Sequence, residues 1–125
     1  MQEDIMNRKV LGALGEEKAK HYFQKKGYTV VSQNYQLHHG EIDLIVRAKK
    51  QLIFVEVKTR VSGQFGLPEE SITYKKAKSL MRSVKYYLSR GNFEGFSWQI
   101  DLVAINLDEQ GKAERFEHFE NIIGA

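Results

Sequence analysis

The 125-residue sequence contains no cysteine and only one proline. The lack of cysteine excludes a disulfide framework and any zinc site that depends on thiolate ligands. No apolar run approaches the ~20 residues that a membrane-spanning helix requires, and the first residues lack the apolar region of a signal peptide. A hydrophobic content of 42% is typical of a chain that folds around a core. We therefore expect a single cytoplasmic domain over residues 1–125, with no membrane partner.

Charge is unevenly distributed along the chain. Residues 1–90 hold 17 Lys and Arg against 9 Asp and Glu, a balance of +8, whereas residues 91–125 hold 2 against 7, a balance of −5. The net charge of +3 is the remainder of these two regions. A regional basic excess is compatible with a nucleic-acid partner, and also with an ordinary solvated surface.

The spacing of apolar residues predicts two helices and five strands. The helices are expected over residues 9–26, with Gly27 as a C-terminal stop, and over residues 70–90. The strands are expected over residues 28–35, 41–48, 51–60, 98–107 and 113–119, with a loop at 63–68. The order α-β-β-β-α-β-β predicts an α/β fold in which helices flank a central mixed β-sheet.

Carboxylates interrupt two strands that are otherwise apolar. Side chains two residues apart on a strand share a face and lie ~6.6 Å apart along it, so Glu56 and Lys58 face the same way. On the preceding strand, the same alternation places Asp43 with Glu41 and Ile45, opposite Ile42, Leu44 and Val46. If Asp43 lies beside Glu56, two carboxylates and a lysine converge, and such a pair suits Mg²⁺ or Mn²⁺. The alternative is a solvated edge strand that carries alternating charges.

The first helix supplies a third candidate carboxylate. Glu16 falls at the margin of the apolar face, about 20° from Phe23 at 100° per residue, from where it can reach over the sheet. The alternative is an ordinary surface glutamate like Glu17. Gly12 and Gly15 lie on the packing face of this helix although glycine is a poor helix former, which favours close contact between the helix and the sheet.

The second predicted helix carries charge of one sign. Residues 71–90 contain six Lys and Arg and no acidic residue, although a solvated helix normally mixes both signs. Four of the cations fall within an arc of about 80°, which predicts a phosphate-contacting face: Lys75, Lys78, Arg82 and Lys85. Lys76 and, beyond the carboxylate strand, Arg60 are expected to add to this nucleic-acid-binding surface.

Long strings of the sequence resemble one protein family. The segments GEIDLIV and FVEVKTR, followed by FGLPEESIT, are similar to the YraN family of small bacterial proteins. More broadly, a helix with Glu, a strand with Asp, a strand with E-x-K and a further helix resemble the PD-(D/E)xK nuclease superfamily, and in particular archaeal Holliday-junction resolvases. Ile42 stands where the superfamily signature has proline.

The resemblance implies a restriction-endonuclease-like fold and hydrolysis of phosphodiester bonds in DNA, in branched or repair-intermediate structures. It implies Mg²⁺ or Mn²⁺ held by Asp43, Glu56, the Val57 main-chain carbonyl and Glu16, with Lys58 as the catalytic lysine. Two alternatives remain open at this stage: a catalytically silent nucleic-acid-binding module with the same fold, and a protein-interaction domain. The number of metal ions is also open, as is pairing of two chains into a homodimer that cuts both strands.

Three further features have less specific interpretations. His38 and His39 can bind metal, but adjacent histidines in a turn are usually polar loop residues. Asp101 interrupts an apolar strand, and we expect it to form a structural ion pair with Arg60 or a lysine. Three aromatic residues can stack on bases, although core packing is the more common role: Tyr86, Tyr87 and Trp98.

Overall fold

The computed structural model describes residues 7–38, 40–61 and 72–123. The elements follow the predicted order: α1 (Arg8–Lys25), β1 (Thr29–Leu37), β2 (Gly40–Ala48), β3 (Gln51–Val61), α2 (Tyr74–Ser89), β4 (Ser97–Leu107) and β5 (Ala113–Phe119). Within these ranges, neither helix combines the length and the apolarity that crossing a bilayer demands. The α/β class and the element order are therefore confirmed.

The five strands form one sheet in the order β1-β2-β3-β4-β5. β3 and β4 are parallel, and the other three neighbouring pairs are antiparallel. The parallel pair needs a crossover connection, which α2 provides, whereas Lys49 and Lys50 suffice to join β2 to β3 as a hairpin. The sheet is therefore mixed, as the sequence predicts.

The helices pack on opposite faces of the sheet. α1 contributes Leu11, Ala19 and Phe23 to one core layer, together with alternate residues of the central strands such as Val55 and Val103. α2 contributes Leu80 and Val84 to the other layer. Both faces of β3 and β4 are covered, so these two strands are apolar along most of their length.

The helix boundaries follow local capping. α1 ends at Lys25 and is followed by Gly27 with φ +96°, which agrees with the predicted glycine stop. α2 starts at Tyr74 rather than at residue 70, because the Thr73 hydroxyl accepts a hydrogen bond from the Lys76 amide and caps the first turn. Residues 72 and 73 therefore precede the helix, and residues 70–71 and the predicted 63–68 loop lie outside the described ranges.

Irregular pairing marks both outer strands of the sheet. The register of β1 against β2 shifts between Val30 and Ser32, as in a β-bulge, and Asn34 has a φ of +51°. The register of β5 against β4 shifts beside Asn106 and Leu107. Each edge strand is therefore distorted rather than flat and evenly spaced.

Candidate functional site

The strands β2 and β3 separate where their carboxylates begin. Their paired residues run from Ala48 and Gln51 to Leu44 and Val55, and no pairing is recorded beyond that point. Asp43 would be next, but its Oδ2 atom accepts a hydrogen bond of 2.8 Å from the Val57 amide. A side-chain carboxylate thus takes the place of a backbone acceptor in the ladder, and the gap opens the sheet to the surface.

This separation breaks the predicted alternation of β2. Leu44 and Val46 face α1 and Ile45 faces α2, as expected, but Ile42 packs with the α2 cluster. The prediction that Ile42 shares a face with Leu44 and Val46 is therefore wrong. Strict alternation requires regular pairing, and the pairing of β2 with β3 ends at Leu44 although its pairing with β1 continues, so Asp43 reaches into the gap toward β3 instead of standing on one face.

The Val57 carbonyl lies on the same side of β3 as the Val57 amide. In an antiparallel ladder the N–H and C=O groups of one residue point toward the same neighbouring strand. Because the Val57 amide reaches Asp43, the Val57 carbonyl also faces the gap, and Val57 lines the resulting pocket. This geometry is compatible with the predicted role of Val57 as a main-chain oxygen donor.

Close contact between α1 and β3 brings Glu16 to the gap. A Cβ atom built on Gly15 would lie 1.8 Å from Thr59 Oγ1, so only glycine allows the helix to approach this closely. At Gly12, by contrast, an added Cβ would meet nothing within 4 Å, and close packing does not explain this glycine. The next residue after Gly15 is Glu16, whose Oε1 accepts a 3.3 Å hydrogen bond from Asn34 Nδ2.

Glu41 joins the predicted carboxylates. Glu16, Glu41 and Asp43 each offer an oxygen atom, and these three atoms lie within 4.8 Å of one another. Sequence reasoning placed Glu41 on the face of Asp43 but did not select it as a site residue. The sequence feature that could have identified Glu41 is its two-residue spacing from Asp43. In the structure, Glu41 Oε1 accepts a 2.8 Å hydrogen bond from Gln36 Nε2.

Glu56 is the most deeply buried carboxylate of the group, with a relative exposure of 2%. Its Oε2 atom lies 3.4 Å from Lys58 Nζ and 3.2 Å from Lys76 Nζ. Its Oε1 atom is buried and has no hydrogen-bond partner among the residues that the structure describes. An uncompensated buried carboxylate oxygen is energetically unfavourable, so this atom is a candidate ligand for a cation.

These groups line one pocket of about 510 Å³. With its carboxylates ionised and its lysines protonated the pocket holds four negative and two positive side chains: Glu16, Glu41, Asp43, Glu56, Lys58 and Lys76. The excess of two negative charges equals the charge of one divalent cation. Asp43, Glu56, Val57, Lys58 and Glu16, all predicted from the sequence, are thus brought together.

Burial and repulsion from neighbouring carboxylates raise the pKa values of Asp43 and Glu16. Burial, followed by repulsion from Glu56, raises the pKa of Asp43 to about 8, and the Val57 hydrogen bond opposes this increase only partly. Burial also raises the pKa of Glu16, with further contributions from Glu41 and Glu56. Without a cation, Asp43 is therefore mainly protonated at neutral pH.

The predicted nucleic-acid-binding residues divide into three groups. Lys76 faces the carboxylates and pairs with Glu56. Arg60 follows Lys58 by two residues and so lies on the same face of β3. The remaining cations are exposed along α2: Lys75, Lys78, Arg82 and Lys85.

Asp101 is fully buried but lies outside the pocket. Its Oδ2 atom is 2.6 Å from His118 Nε2, and the other ring nitrogen of His118 is 2.8 Å from the Tyr22 hydroxyl. Asp101 Oδ1 also accepts hydrogen bonds from Gln99 Nε2 and the Asn121 amide. The prediction that Asp101 pairs with Arg60 or a lysine is therefore wrong. Its partner is His118, which the antiparallel pairing of β5 with β4 brings next to it.

The remaining candidate residues occupy different environments. His38 lies at the rim of the carboxylate pocket, and His39 lies outside the described residues. Tyr87 packs against Tyr35 and Phe54, as expected of a core residue, whereas Tyr86 is 46% exposed.

The described structure defines an α/β protein with a lysine-flanked carboxylate pocket at a split in its sheet. The model of uncharacterised protein family UPF0102 matches residues 15–105, and the chain belongs to this family, in agreement with the YraN-like resemblance. A UPF0102 protein of Caldanaerobacter subterraneus subsp. tengcongensis is 37% identical over 117 residues, covering 93% of this chain and 96% of the relative. A UPF0102 protein of Pelotomaculum thermopropionicum is 40% identical over 114 residues, covering 91% and 95%, respectively. A UPF0102 protein of Alkaliphilus oremlandii is 40% identical over 118 residues, covering 93% and 98%.

Proposed function

We propose that this protein is a metal-dependent phosphodiesterase that hydrolyses DNA, with branched or repair-intermediate structures as its substrates. The observation that carries the proposal is Glu56, a buried carboxylate with one oxygen unpartnered among the described residues, in a pocket with three further carboxylates and two lysines. Buried carboxylate oxygens in structural ion pairs generally have hydrogen-bond partners.

The chemistry of the pocket fits Mg²⁺ or Mn²⁺. Both ions prefer carboxylate, carbonyl and water oxygens. The oxygen donors that would hold the ion are Asp43, Glu56 and the Val57 carbonyl, with Glu16 and Glu41 completing the acidic wall. Such an ion would supply charge neutralisation at the phosphate and a lower pKa for water.

In this proposal Lys58 would act on the attacking water and the phosphate. In hydrolysis, a water oxygen forms a bond to phosphorus, the ester P–O bond breaks, and the leaving oxygen takes a proton. The Lys58 ammonium, held 3.4 Å from Glu56, would orient the attacking water and stabilise negative charge on the phosphate in the transition state. An adjacent carboxylate would accept the proton that water loses.

The element order supports a restriction-endonuclease-like fold. A helix with Glu16, a strand with Asp43, a strand with Glu56 and Lys58, and a crossover helix to a parallel strand occur in the order that the PD-(D/E)xK resemblance implies. Ile42 replaces the signature proline, but its side chain packs with the α2 cluster and takes no part in the pocket.

One observation favours the catalytically silent alternative. Lys58 and Lys76 both lie within ion-pair distance of Glu56 Oε2, so two lysines already compensate much of its charge without a cation. In that case the same fold would bind nucleic acid through the exposed cations of α2 as an accessory to a partner.

A cleavage assay distinguishes the two functions. Fluorescently labelled four-way, duplex and single-stranded DNA would be incubated with the protein and Mg²⁺, Mn²⁺ or EDTA. We expect metal-dependent cleavage that is lost in Asp43→Asn, Glu56→Gln and Lys58→Ala variants. A Glu16→Gln variant should also reduce cleavage, and Glu17→Gln is its matched control, since Glu17 is the exposed neighbour of Glu16 on the same helix.

Two results would contradict the phosphodiesterase proposal. One is cleavage that persists in both Asp43→Asn and Lys58→Ala variants, which would indicate a contaminating nuclease. The other is salt-dependent DNA binding with no cleavage and no heat of Mn²⁺ binding by calorimetry, which would support the accessory module.

A further inference from the structure

A second groove, of about 610 Å³, adjoins the carboxylate pocket. It lies between the end of β1 and the exposed flank of α2, and its lining includes Tyr35, Arg82, Ser83 and Tyr86. Residues 36–38 line both cavities, so a ligand could extend from one into the other. The two cavities differ in chemistry, because the second groove is lined mainly by apolar and aromatic surface and its described lining residues include no carboxylate.

Tyr86 presents an aromatic ring at this groove. Its side chain is 46% exposed, whereas the next residue, Tyr87, packs edge-on against Tyr35 and Phe54. The Arg90 guanidinium lies over the Tyr86 ring, 5.6 Å from its centre, in a cation–π contact. An exposed ring beside arginine is a surface on which a nucleobase can stack, and a phosphate can bind the adjacent cation.

Arg82 gives the groove a cation at its outer wall. No ion pair of Arg82 is recorded among the described residues, and its side chain is exposed. Lys76 at the carboxylate pocket and Tyr86 are ten residues apart on α2, which is about 15 Å along the helix. That distance corresponds to roughly four nucleotides of a stacked strand at 3.4 Å each.

We propose that this groove binds an unpaired base on a single-stranded segment of DNA, roughly four nucleotides along the strand from the phosphodiester held at the carboxylate pocket. A paired base in a duplex is stacked between its neighbours and exposes only its edges, so it cannot lie against the Tyr86 ring. The preferred ligand is therefore DNA with a single-stranded region rather than continuous duplex. That the strand is also a substrate rests on the proposed function, whereas the base contact does not.

The test compares three fluorescein-labelled probes of equal length by anisotropy in EDTA, which prevents metal-dependent cleavage. The probes are a deoxythymidine oligonucleotide, an abasic oligomer with the same number of phosphates, and a duplex. We expect Tyr86→Ala to weaken binding of the deoxythymidine probe about tenfold and Tyr86→Phe to leave it unchanged, because stacking contributes ~1–3 kcal/mol per base. Binding of the abasic and duplex probes should be unaffected by Tyr86→Ala.

Lys78 provides a matched control on the same helix. It lies about 80° around α2 from Tyr86 and is not part of the groove lining. Lys78→Ala should weaken the binding of all three probes to the same extent, since it removes only a phosphate contact. Arg82→Ala should weaken both single-stranded probes, with or without bases.

The groove assignment fails if Tyr86→Ala leaves the deoxythymidine probe unaffected or weakens the abasic probe equally. This outcome is independent of cleavage. Tyr86-dependent base binding without any cleavage would support the groove assignment and refute the phosphodiesterase proposal. Cleavage combined with base binding that does not depend on Tyr86 would support the phosphodiesterase proposal and refute the groove assignment. An unchanged thermal transition of each variant would show that the exposed side chain was removed without unfolding.

Discussion

The raised pKa of Asp43 predicts that metal-free protein loses stability as pH increases. The folded state holds the Asp43 proton up to about pH 8, whereas in the unfolded chain the carboxyl group has its ordinary pKa of 3.8. Between these values the folded state binds more protons than the unfolded state, so the free energy of unfolding decreases as pH rises. The contribution of the neutral carboxyl is fully present below about pH 4 and is lost as pH rises through 8.

The expected effect is large. The difference in bound protons is close to one from pH 5 to pH 7 and falls to about one half at pH 8, and a difference of one proton changes the free energy of unfolding by about 1.36 kcal/mol per pH unit. Asp43 alone should therefore lower the free energy of unfolding by on the order of 4 kcal/mol over this interval. An Asp43→Asn variant cannot ionise, yet its amide oxygen can still accept the hydrogen bond from Val57.

Urea unfolding, monitored by far-ultraviolet circular dichroism, measures this effect. Titrations in EDTA at pH 5, 6, 7 and 8 would be run on the original protein, Asp43→Asn and the exposed-carboxylate control Glu17→Gln. We expect Asp43→Asn to gain stability relative to the original protein as pH rises, whereas Glu17→Gln should not. Saturating Mn²⁺ should stabilise only the proteins that retain Asp43. The free energy of unfolding should increase by about 2.7 kcal/mol when the free Mn²⁺ concentration is one hundred times the dissociation constant.

A difference between Asp43→Asn and the original protein that stays constant from pH 5 to 8 would refute the reasoning. It would mean that Asp43 is ionised in the folded metal-free state and that water or nearby cations compensate its charge. Equal stabilisation of both proteins by Mn²⁺ would separately exclude Asp43 as a ligand.

Three further predictions concern packing, a buried hydrogen-bond network and metal competition. Gly15→Ala should destabilise the protein by about 2 kcal/mol through overlap with β3, whereas Gly12→Ala should stabilise it by about 0.5–1 kcal/mol through helix propensity, as measured by urea unfolding. The same sign for both would contradict the assigned helix contact. Asp101→Asn should lower the free energy of unfolding by about 2 kcal/mol, because the new amide group adds a hydrogen-bond donor where the buried carboxylate accepts hydrogen bonds from its neighbours. No change in thermal unfolding would show that the network is not stabilising. Lys76→Ala should tighten Mn²⁺ binding about tenfold in calorimetry, since it removes a cation from the pocket, and Lys75→Ala should leave the affinity unchanged. Equal effects of the two lysine substitutions would indicate a general surface-charge effect.

Regular periodicity explains why the fold could be predicted from the sequence. Apolar strands buried on both faces and helices with a single apolar stripe are visible in one dimension, and they gave the correct element order. Boundaries were less predictable because caps decide them, as with Thr73 at the start of α2.

The site was predictable where charge interrupts apolar strands, and less so where the backbone departs from regular geometry. Asp43 and Glu56 were identified because carboxylates are unusual among buried strand residues. Ile42 was placed on the wrong face because the alternation rule cannot anticipate that β2 separates from β3 at Leu44. Glu41 had the right spacing, but only the fold shows that it meets Glu16 from another element.

Contacts between side chains that are far apart in the sequence were the least predictable feature of the structure. Asp101 was expected to bind a basic side chain close to the pocket, but β5 places His118 against it from the opposite edge of β4. The sequence contains no local signal for such a contact, because its residues are 17 positions apart and joined by a turn. Tyr86 and Tyr87 are neighbours with similar sequence signals, and only the orientation of α2 separates the exposed ring from the packed one.

The irregular edges of the sheet bear on how two chains could assemble. A flat edge strand is a template on which a second sheet can continue, and a bulge removes the even spacing that such a continuation needs. The bulge after Val30 and the left-handed residue Asn34 interrupt β1, and the short strand β5 carries two exposed acidic side chains, Glu114 and Glu117. A pair of chains that cuts both strands of a duplex would therefore associate through helix surfaces or loops, and its two pockets would not be joined by one continuous sheet.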